Sequence, residues 1–199
     1  MILPKKFYLQ ETTTVAKDLL GKILIRKYGS IVLKSLIVET EAYIGDHDPA
    51  CHAYYKLTPR NQLMFEEGGI TYVYFIYGNY FCFNIVTGNN GEGNAVLIRA
   101  VEPLSGESEM IKNRNNKTGE NLTNGPGKLC MALNINKNDN GLKVYSQNSD
   151  IQIKDTGIKI NPREIKSTKR IGISQGEEFL YRFFLKNNKF VTPHKFNRL

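Results

Sequence analysis

Apolar and polar positions alternate over several short segments, which predicts a chain rich in β-strands. KILIRKY and IVLKSLIVE are separated only by Gly29 and Ser30, so two strands joined by a tight hairpin are expected. Apolar runs at 95–101, 170–174 and 181–185 predict three further strands. The second strand leads directly into the polar segment that carries most of the candidate chemistry.

A second hairpin is predicted in the aromatic stretch YVYFIYGNYFCFN, with Gly78-Asn79 as its two-residue turn. Successive side chains of a strand point to opposite faces, so Tyr72, Tyr74 and Ile76 are expected to share one face. Tyr77 then comes next to the turn. Three rings on the same hairpin are expected in the core, namely Phe75, Phe81 and Phe83.

Helical periodicity appears in three segments. ETTTVAKDLL, from Glu11 to Leu20, has threonines suited to capping and ends before Gly21. Residues 106–114 and 126–133 predict two more short helices. Helices mixed with hairpin-connected strands favour one α+β domain with a mixed or antiparallel sheet.

The bulk composition is that of an ordinary globular protein. The chain has 199 residues, of which 41% are hydrophobic and 23% are charged. No apolar run reaches the length that crosses a bilayer, and the N-terminus lacks the basic-then-apolar order of a signal peptide. No membrane association and a cytoplasmic location are therefore expected.

Positive charge is concentrated in the second half of the chain. The net charge is +8, with 10 basic and 9 acidic residues up to residue 100, and 17 and 10 after it. Such an imbalance is typical of proteins that bind nucleic acid or another polyanion. A merely basic surface is the alternative that charge by itself leaves open.

Titratable side chains cluster in VETEAYIGDHDPACH, residues 38–52. Glu39 and Glu41 would share one face of a strand, where paired carboxylates suit glycosidic-bond chemistry. A solvated strand end explains them equally well. A metal site built from His47, Asp48 and His52 is a further alternative, although their spacing matches no standard zinc pattern.

Five blocks occur in the order VETEAY, TPRNQLMF, YVYFIYGNYFCFNIV, VLIRAVEP and NGPGKLCMAL. Together they resemble the alkyladenine (3-methyladenine) DNA glycosylase family. The resemblance implies a single domain over residues 1–199. Its fold would be α+β, with a curved mixed or antiparallel β-sheet, flanking helices and a protruding β-hairpin. It also implies removal of alkylated or deaminated purines from double-stranded DNA.

The same resemblance implies roles for individual residues. Glu41 matches the carboxylate that activates water, and Arg99 matches an arginine of the DNA-facing site. Tyr77 matches the aromatic wedge of the hairpin, which inserts into DNA. The residues that match the pocket for the flipped base are Tyr43, His52, Tyr74 and Asn84, of which Asn84 would discriminate against guanine.

Partners and cofactors follow from the same reading. Water rather than a lysine amine would be the nucleophile, so no cofactor and no metal is expected. The protein would act as a monomer on duplex DNA. Basic residues after position 100 would contact phosphates, among them Lys128 near a predicted helix start. The rival hypotheses are a non-catalytic nucleic-acid-binding module and a metal-dependent hydrolase.

Overall fold

A long central strand organises the fold. The computed structural model describes residues 1–76 and 78–198. Strand β2 (Ile31–Tyr43) follows β1 (Ile23–Tyr28) through the predicted hairpin. It also pairs with β5 (Asn94–Ser105) and with β8 (Arg182–Leu185). β2 is therefore hydrogen-bonded to three strands, and the residues on it are held from both sides.

The other strands complete one antiparallel sheet. They are β3 (Thr71–Ile76), β4 (Tyr80–Thr87), β6 (Ile151–Lys154) and β7 (Ile165–Thr168). Within the described residues the sheet has eight strands, in the order β3-β4-β5-β2-β1-β6, with β8 on β2 and β7 on β8. Register shifts between β2 and β5 interrupt the ladder beside Glu39. Such bulges bend and twist strands, which agrees with the expected curved sheet.

Four short α-helices flank the sheet in the described part of the chain: α1 (Lys5–Tyr8), α2 (Thr12–Asp18), α3 (Glu107–Asn113) and α4 (Pro126–Ala132). The cap of α2 is the Glu11 carboxylate, which accepts from the Thr13 and Thr14 amides, rather than a threonine. Within the described ranges, 1–76 and 78–198, no helix is long and apolar enough to cross a membrane.

The main core lies between the sheet and helices α2 and α4, which pack on β2 and β4 respectively. Its members are fully buried apolar side chains, among them Leu19, Leu24, Phe83, Ile98 and Leu129. The prediction of one α+β fold with an antiparallel, curved sheet is confirmed. A smaller cluster on the hairpin side includes Tyr72, Met64 and Ala95, and it forms the floor of the site described below.

Three local predictions were wrong. Residues 170–174 form an irregular segment, not a strand, and β5 continues past Pro103 to Ser105. Strands β3 and β4 pair Ile76 with Tyr80, so three residues lie between the paired positions rather than two. One of these three, Tyr77, lies outside the described residues.

Phe75 and Phe83 lie on paired strands but in opposite environments. Phe83 is fully buried as expected, whereas Phe75 is 51% exposed and contacts Phe81 at 5.1 Å between ring centroids. The core prediction for Phe75 was therefore wrong, because this end of the hairpin extends past the main core.

We predict that Phe83→Ala lowers the free energy of unfolding by about 3–5 kcal/mol, the usual cost of emptying a buried aromatic site. Phe75→Ala should cost about 1 kcal/mol or less, since a half-exposed ring and its tilted contact with Phe81 are lost. Urea titration of both variants checks this. Equal losses would contradict the placement of the two rings.

Candidate functional site

A cavity of about 280 Å³ opens where strand β3 meets the irregular segment at residues 172–175. This volume lies near the lower end of small-molecule pockets, which suits one planar ring system. Four residues expected in the base pocket line it: Tyr43, His52, Tyr74 and Asn84. Tyr72 and Ile76 line it as well, so the predicted common face of β3 is confirmed.

Three rings form one wall of this cavity. The rings of His52 and Tyr74 are 4.6 Å apart between centroids at 63°, and those of Tyr72 and Tyr74 are 5.3 Å apart at 36°. His52 Nδ1 and the Tyr72 hydroxyl lie 3.1 Å apart and share a hydrogen bond. The Arg60 guanidinium lies over the Tyr74 ring at 5.5 Å. The wall can therefore offer π-faces to a planar ligand.

Asn84 closes the cavity from strand β4 with a fixed side chain. Its Nδ2 donates to the Tyr72 carbonyl at 3.0 Å, and the residue is only 3% exposed. A backbone carbonyl accepts from the amide nitrogen, so the side chain cannot turn freely to suit a ligand. This makes Asn84 a rigid part of the cavity wall.

Glu41 lies behind the wall and is fully buried on β2. Its Oε2 accepts from the Tyr43 hydroxyl at 2.8 Å, and its Oε1 accepts from the Ile171 amide at 2.9 Å. Arg99 Nη1 is 3.3 Å from the same Oε1. Three donors thus hold the carboxylate in one place.

A second cavity of about 220 Å³ adjoins the first and shares Tyr43, Tyr74, Ile76 and Gly172 with it. Tyr43, Arg99 and Ile171, the three residues that contact the Glu41 carboxylate, all line this second cavity. The carboxylate is therefore separated from the space of both cavities by a single layer of groups.

Arg99 is buried between two carboxylates. Its Nε donates to Glu39 Oε1 at 3.1 Å, and its Nη1 approaches Glu41. Burial alone would lower the pKa of Arg99, but the charges of Glu41 and Glu39 outweigh it and raise that pKa. With a side chain only 6% exposed, Arg99 faces the second cavity and the carboxylates rather than the outer surface.

The aromatic groups of the site are neutral near pH 7. Burial raises the pKa of Tyr72 to about 12, and it raises the pKa of Tyr74 well above its usual range. Burial, together with the Glu41 charge, does the same to the pKa of Tyr43. Burial and the nearby Arg60 charge lower the pKa of His52. The cavity is therefore lined by uncharged hydrogen-bonding groups.

The residues of the metal alternative have separate partners. His47 Nε2 is 3.0 Å from the Tyr181 hydroxyl, Asp48 forms a salt bridge with Arg170, and His52 shares a hydrogen bond with Tyr72. Over residues 1–76 and 78–198, no three His, Cys, Asp or Glu side chains are grouped so as to hold a metal ion.

Lys128 lies beside the second cavity but is not among the described residues that line it. Its Nζ donates to Asn121 Oδ1 and, at 2.7 Å, to Asn124 Oδ1. Burial and the Arg114 charge lower its pKa. Its neighbours Pro126 and Gly127 line the second cavity, so Lys128 lies at the margin of the site rather than within it.

The sequence pattern missed the segment after β7. Ile171 supplies a backbone donor to Glu41, and residues 172–175 line the first cavity. The alternation in RIGIS indicated a strand, but Gly172 and Gly176 both have positive φ, at 78° and 63°. That pair of glycines was the available signal for an irregular loop.

Comparison with known proteins identifies the family of this chain. The family model described as Methylpurine-DNA glycosylase (MPG) matches residues 6–189. A relative from Clostridium botulinum is 47% identical over 204 residues, covering 96% of this chain and 99% of its own. A relative from Francisella tularensis is 46% identical, covering 92% and 94%. Both carry the provisional name 3-methyladenine DNA glycosylase. The chain belongs to the methylpurine-DNA glycosylase family.

Proposed function

We propose that this protein is a DNA repair glycosylase that excises damaged purines from double-stranded DNA. The damaged nucleotide leaves the base stack, its base enters the aromatic cavity, and water hydrolyses the N-glycosidic bond to leave an abasic site. The observation that carries the proposal is the Glu41 carboxylate, held by three donors directly behind that cavity. The family and its named relatives support the same activity.

Base extrusion is proposed because an enzyme cannot reach the glycosidic carbon of a stacked base; glycosylases are a known case. The rings of Tyr43, Tyr74 and His52 give the extruded base apolar faces, which offset part of the cost of unstacking. Tyr77 is proposed as the wedge that fills the vacated space in the minor groove. Its role rests on the resemblance of the hairpin sequence.

Glu41 is proposed to act in two ways. Its negative charge stabilises the positive charge that develops on the sugar, and it accepts a proton from the attacking water. The described residues that line the two cavities include no lysine, which supports water as nucleophile and hence a monofunctional enzyme that leaves the strand intact.

The help that the site must give to the departing base depends on the charge of that base. An alkylated purine that carries positive charge leaves without help, and a cavity of neutral tyrosines and a neutral histidine does not repel it. A deaminated, neutral purine needs a proton or hydrogen bonds from the site. Methylated adenine, hypoxanthine and etheno adducts are therefore all candidates, and base release from duplexes carrying each one tests the proposal directly.

The rival functions predict different outcomes in that assay. A non-catalytic nucleic-acid-binding module would bind the same duplexes and release no base from any of them. A metal-dependent hydrolase would lose activity on treatment with a chelator. Base release that persists in chelator supports the glycosylase. The proposed enzyme acts as a monomer in the cytoplasm, and its basic surface contacts the phosphates of DNA.

We predict that Glu41→Gln slows excision at least about 10²-fold, because the amide cannot accept the water proton. Affinity for damaged duplex should be retained, since phosphate contacts are unchanged. Glu102→Gln is the control: Glu102 lies on β5 and accepts from Asn188, away from both cavities. Single-turnover excision and gel-shift titration measure the two quantities. Near-normal turnover by Glu41→Gln would remove Glu41 from the proposed role.

We predict that Asn84→Ser admits guanine-type bases, since it removes a rigid amide that a purine 2-amino group would meet. The lost bond to the Tyr72 carbonyl should cost about 1 kcal/mol. Asn113→Ser serves as control, because Asn113 donates to the Ala132 carbonyl outside the cavity. Excision from duplexes with 7-methylguanine is the measurement. Loss of folding without any gain on guanine lesions would make Asn84 purely structural.

We predict that the His52 imidazole titrates below the ordinary pKa of 6.5, as NMR of the ring protons would report. Burial lowers the pKa in the folded state only. The unfolded chain therefore takes up the proton first as the pH falls below 6.5. The stability of the protein relative to His52→Gln should thus decline between pH 7 and pH 5. Titration at or above 6.5 would contradict a neutral His52 in the cavity.

A further inference from the structure

We propose that Arg170, held by Asp48, is a positioning residue that sets the geometry of Glu41, Tyr43 and the 172–175 cavity wall. This inference rests on the glycosylase function proposed above. Arg170 and Asp48 are fully buried as a pair, and neither lines the first or the second cavity among the described residues. Any effect on excision must therefore pass through the groups they hold.

The pair joins two segments that are far apart in the sequence. Arg170 Nη2 donates to Asp48 Oδ1 at 2.6 Å, while Nη1 donates to Asp48 Oδ2 and, at 2.9 Å, to the Ala42 carbonyl. Nη2 also donates to the Gly176 carbonyl at 3.3 Å. The planar guanidinium thus binds the end of β2, the following loop and the far end of the 172–175 segment.

The next residue connects this clamp to the proposed catalytic carboxylate. Ile171 follows Arg170 directly, and its amide donates to Glu41 Oε1 at 2.9 Å. Arg170 is the first residue of the cavity-lining loop, and its guanidinium binds the Gly176 carbonyl at the other end. One residue therefore holds both ends of the loop. A shift of Arg170 would move the Ile171 donor and the loop together.

Arg170 also contacts the side chain of Tyr43. The Arg170 guanidinium lies 4.6 Å from the centre of the Tyr43 ring, and that ring lines both cavities. The Tyr43 hydroxyl in turn donates to Glu41 at 2.8 Å. Cation–π contact therefore fixes the ring whose hydroxyl orients the carboxylate.

Stability alone explains this arrangement poorly. Buried ion pairs seldom stabilise a protein more than apolar side chains of similar size would, because desolvation offsets their attraction. The buried Arg170 Nε also has no hydrogen-bond partner among the described residues. The pair instead provides directional hydrogen bonds from a planar guanidinium. Such bonds suit a residue that keeps Glu41 and Tyr43 in a fixed arrangement.

The molecule contains a matched control. Arg26 on β1 is also buried and forms a salt bridge with Asp139 at 2.8 Å. Among the described residues, Arg26 lines neither cavity and has no hydrogen bond or salt bridge to Glu41, Tyr43 or Arg99. Arg26→Met therefore leaves the buried Asp139 carboxylate without its arginine, as Arg170→Met does for Asp48, but away from the site.

The test compares Arg170→Met, Arg170→Lys and Arg26→Met with the unmodified protein on a duplex from which that protein releases base. Single-turnover rate constants are measured at saturating enzyme, with duplex affinity and Tm determined in parallel. Misplacement of reacting groups by about 1 Å costs up to about 10²-fold. We expect Arg170→Met to slow excision about 10- to 100-fold at nearly unchanged affinity, and Arg170→Lys to slow it less.

Arg26→Met should lower Tm by a similar amount and leave the rate constant within about twofold of the unmodified protein. The proposal is overturned if Arg170→Met lowers Tm but excises at the unmodified rate, or if Arg26→Met slows excision equally. Should Arg170→Met fail to fold, the rate of Arg170→Lys decides by the same criterion. Failure of the unmodified protein to release any base would instead overturn the proposed function.

Discussion

Two carboxylates on the central strand share one buried arginine, and the site depends on that arrangement. Arg99 reaches across from β5 and contacts both Glu39 and Glu41. Glu39 also accepts from Arg182 Nε at 2.6 Å and from the Thr192 amide at 2.7 Å. Uncompensated charges at this depth would cost several kcal/mol each, so each carboxylate is retained only with its donors.

This ionic network also gives the carboxylates of Glu39 and Glu41 different surroundings. Glu39 is bound by two guanidinium groups and the backbone of the C-terminal segment, and it lies within the protein interior. Glu41 is bound by Arg99, Tyr43 and the Ile171 amide, all of which line the second cavity. Two residues of the same type, on the same face of one strand, thus have different access to a bound ligand. All three groups that hold Glu41 line a cavity, whereas of the groups that hold Glu39 Arg99 lines one and Arg182 and Thr192 do not.

The aromatic wall gives the first cavity a low polarity but also lines it with hydrogen-bonding groups. Tyrosine hydroxyls and the His52 imidazole stay neutral near pH 7 because burial disfavours their charged forms. The buried carboxylate then acts on its surroundings with little screening by water. A damaged purine and the sugar attached to it would meet strong electrostatic stabilisation on one side and apolar surface on the other.

Local pattern was sufficient for much of this protein. Alternation placed Tyr72, Tyr74 and Ile76 on one face and put Glu39 and Glu41 together, because side-chain direction along a strand depends only on position. Helix signals located α2, α3 and α4 to within a few residues. The ordered motifs indicated the family and four residues that line the first cavity.

Tertiary structure decided the rest. Glu41 and Ile171 are 130 residues apart, as Asp48 and Arg170 are 122 apart, and no local pattern links such pairs. Phe75 and Phe83 have identical side chains, yet Phe83 is buried in the main core whereas Phe75 is half exposed at the end of the hairpin. The segment at 170–174 has the alternation of a strand but binds Glu41 and Asp48 instead. Periodicity encodes the direction of a side chain, whereas the partner it meets depends on segments that only the complete fold brings together.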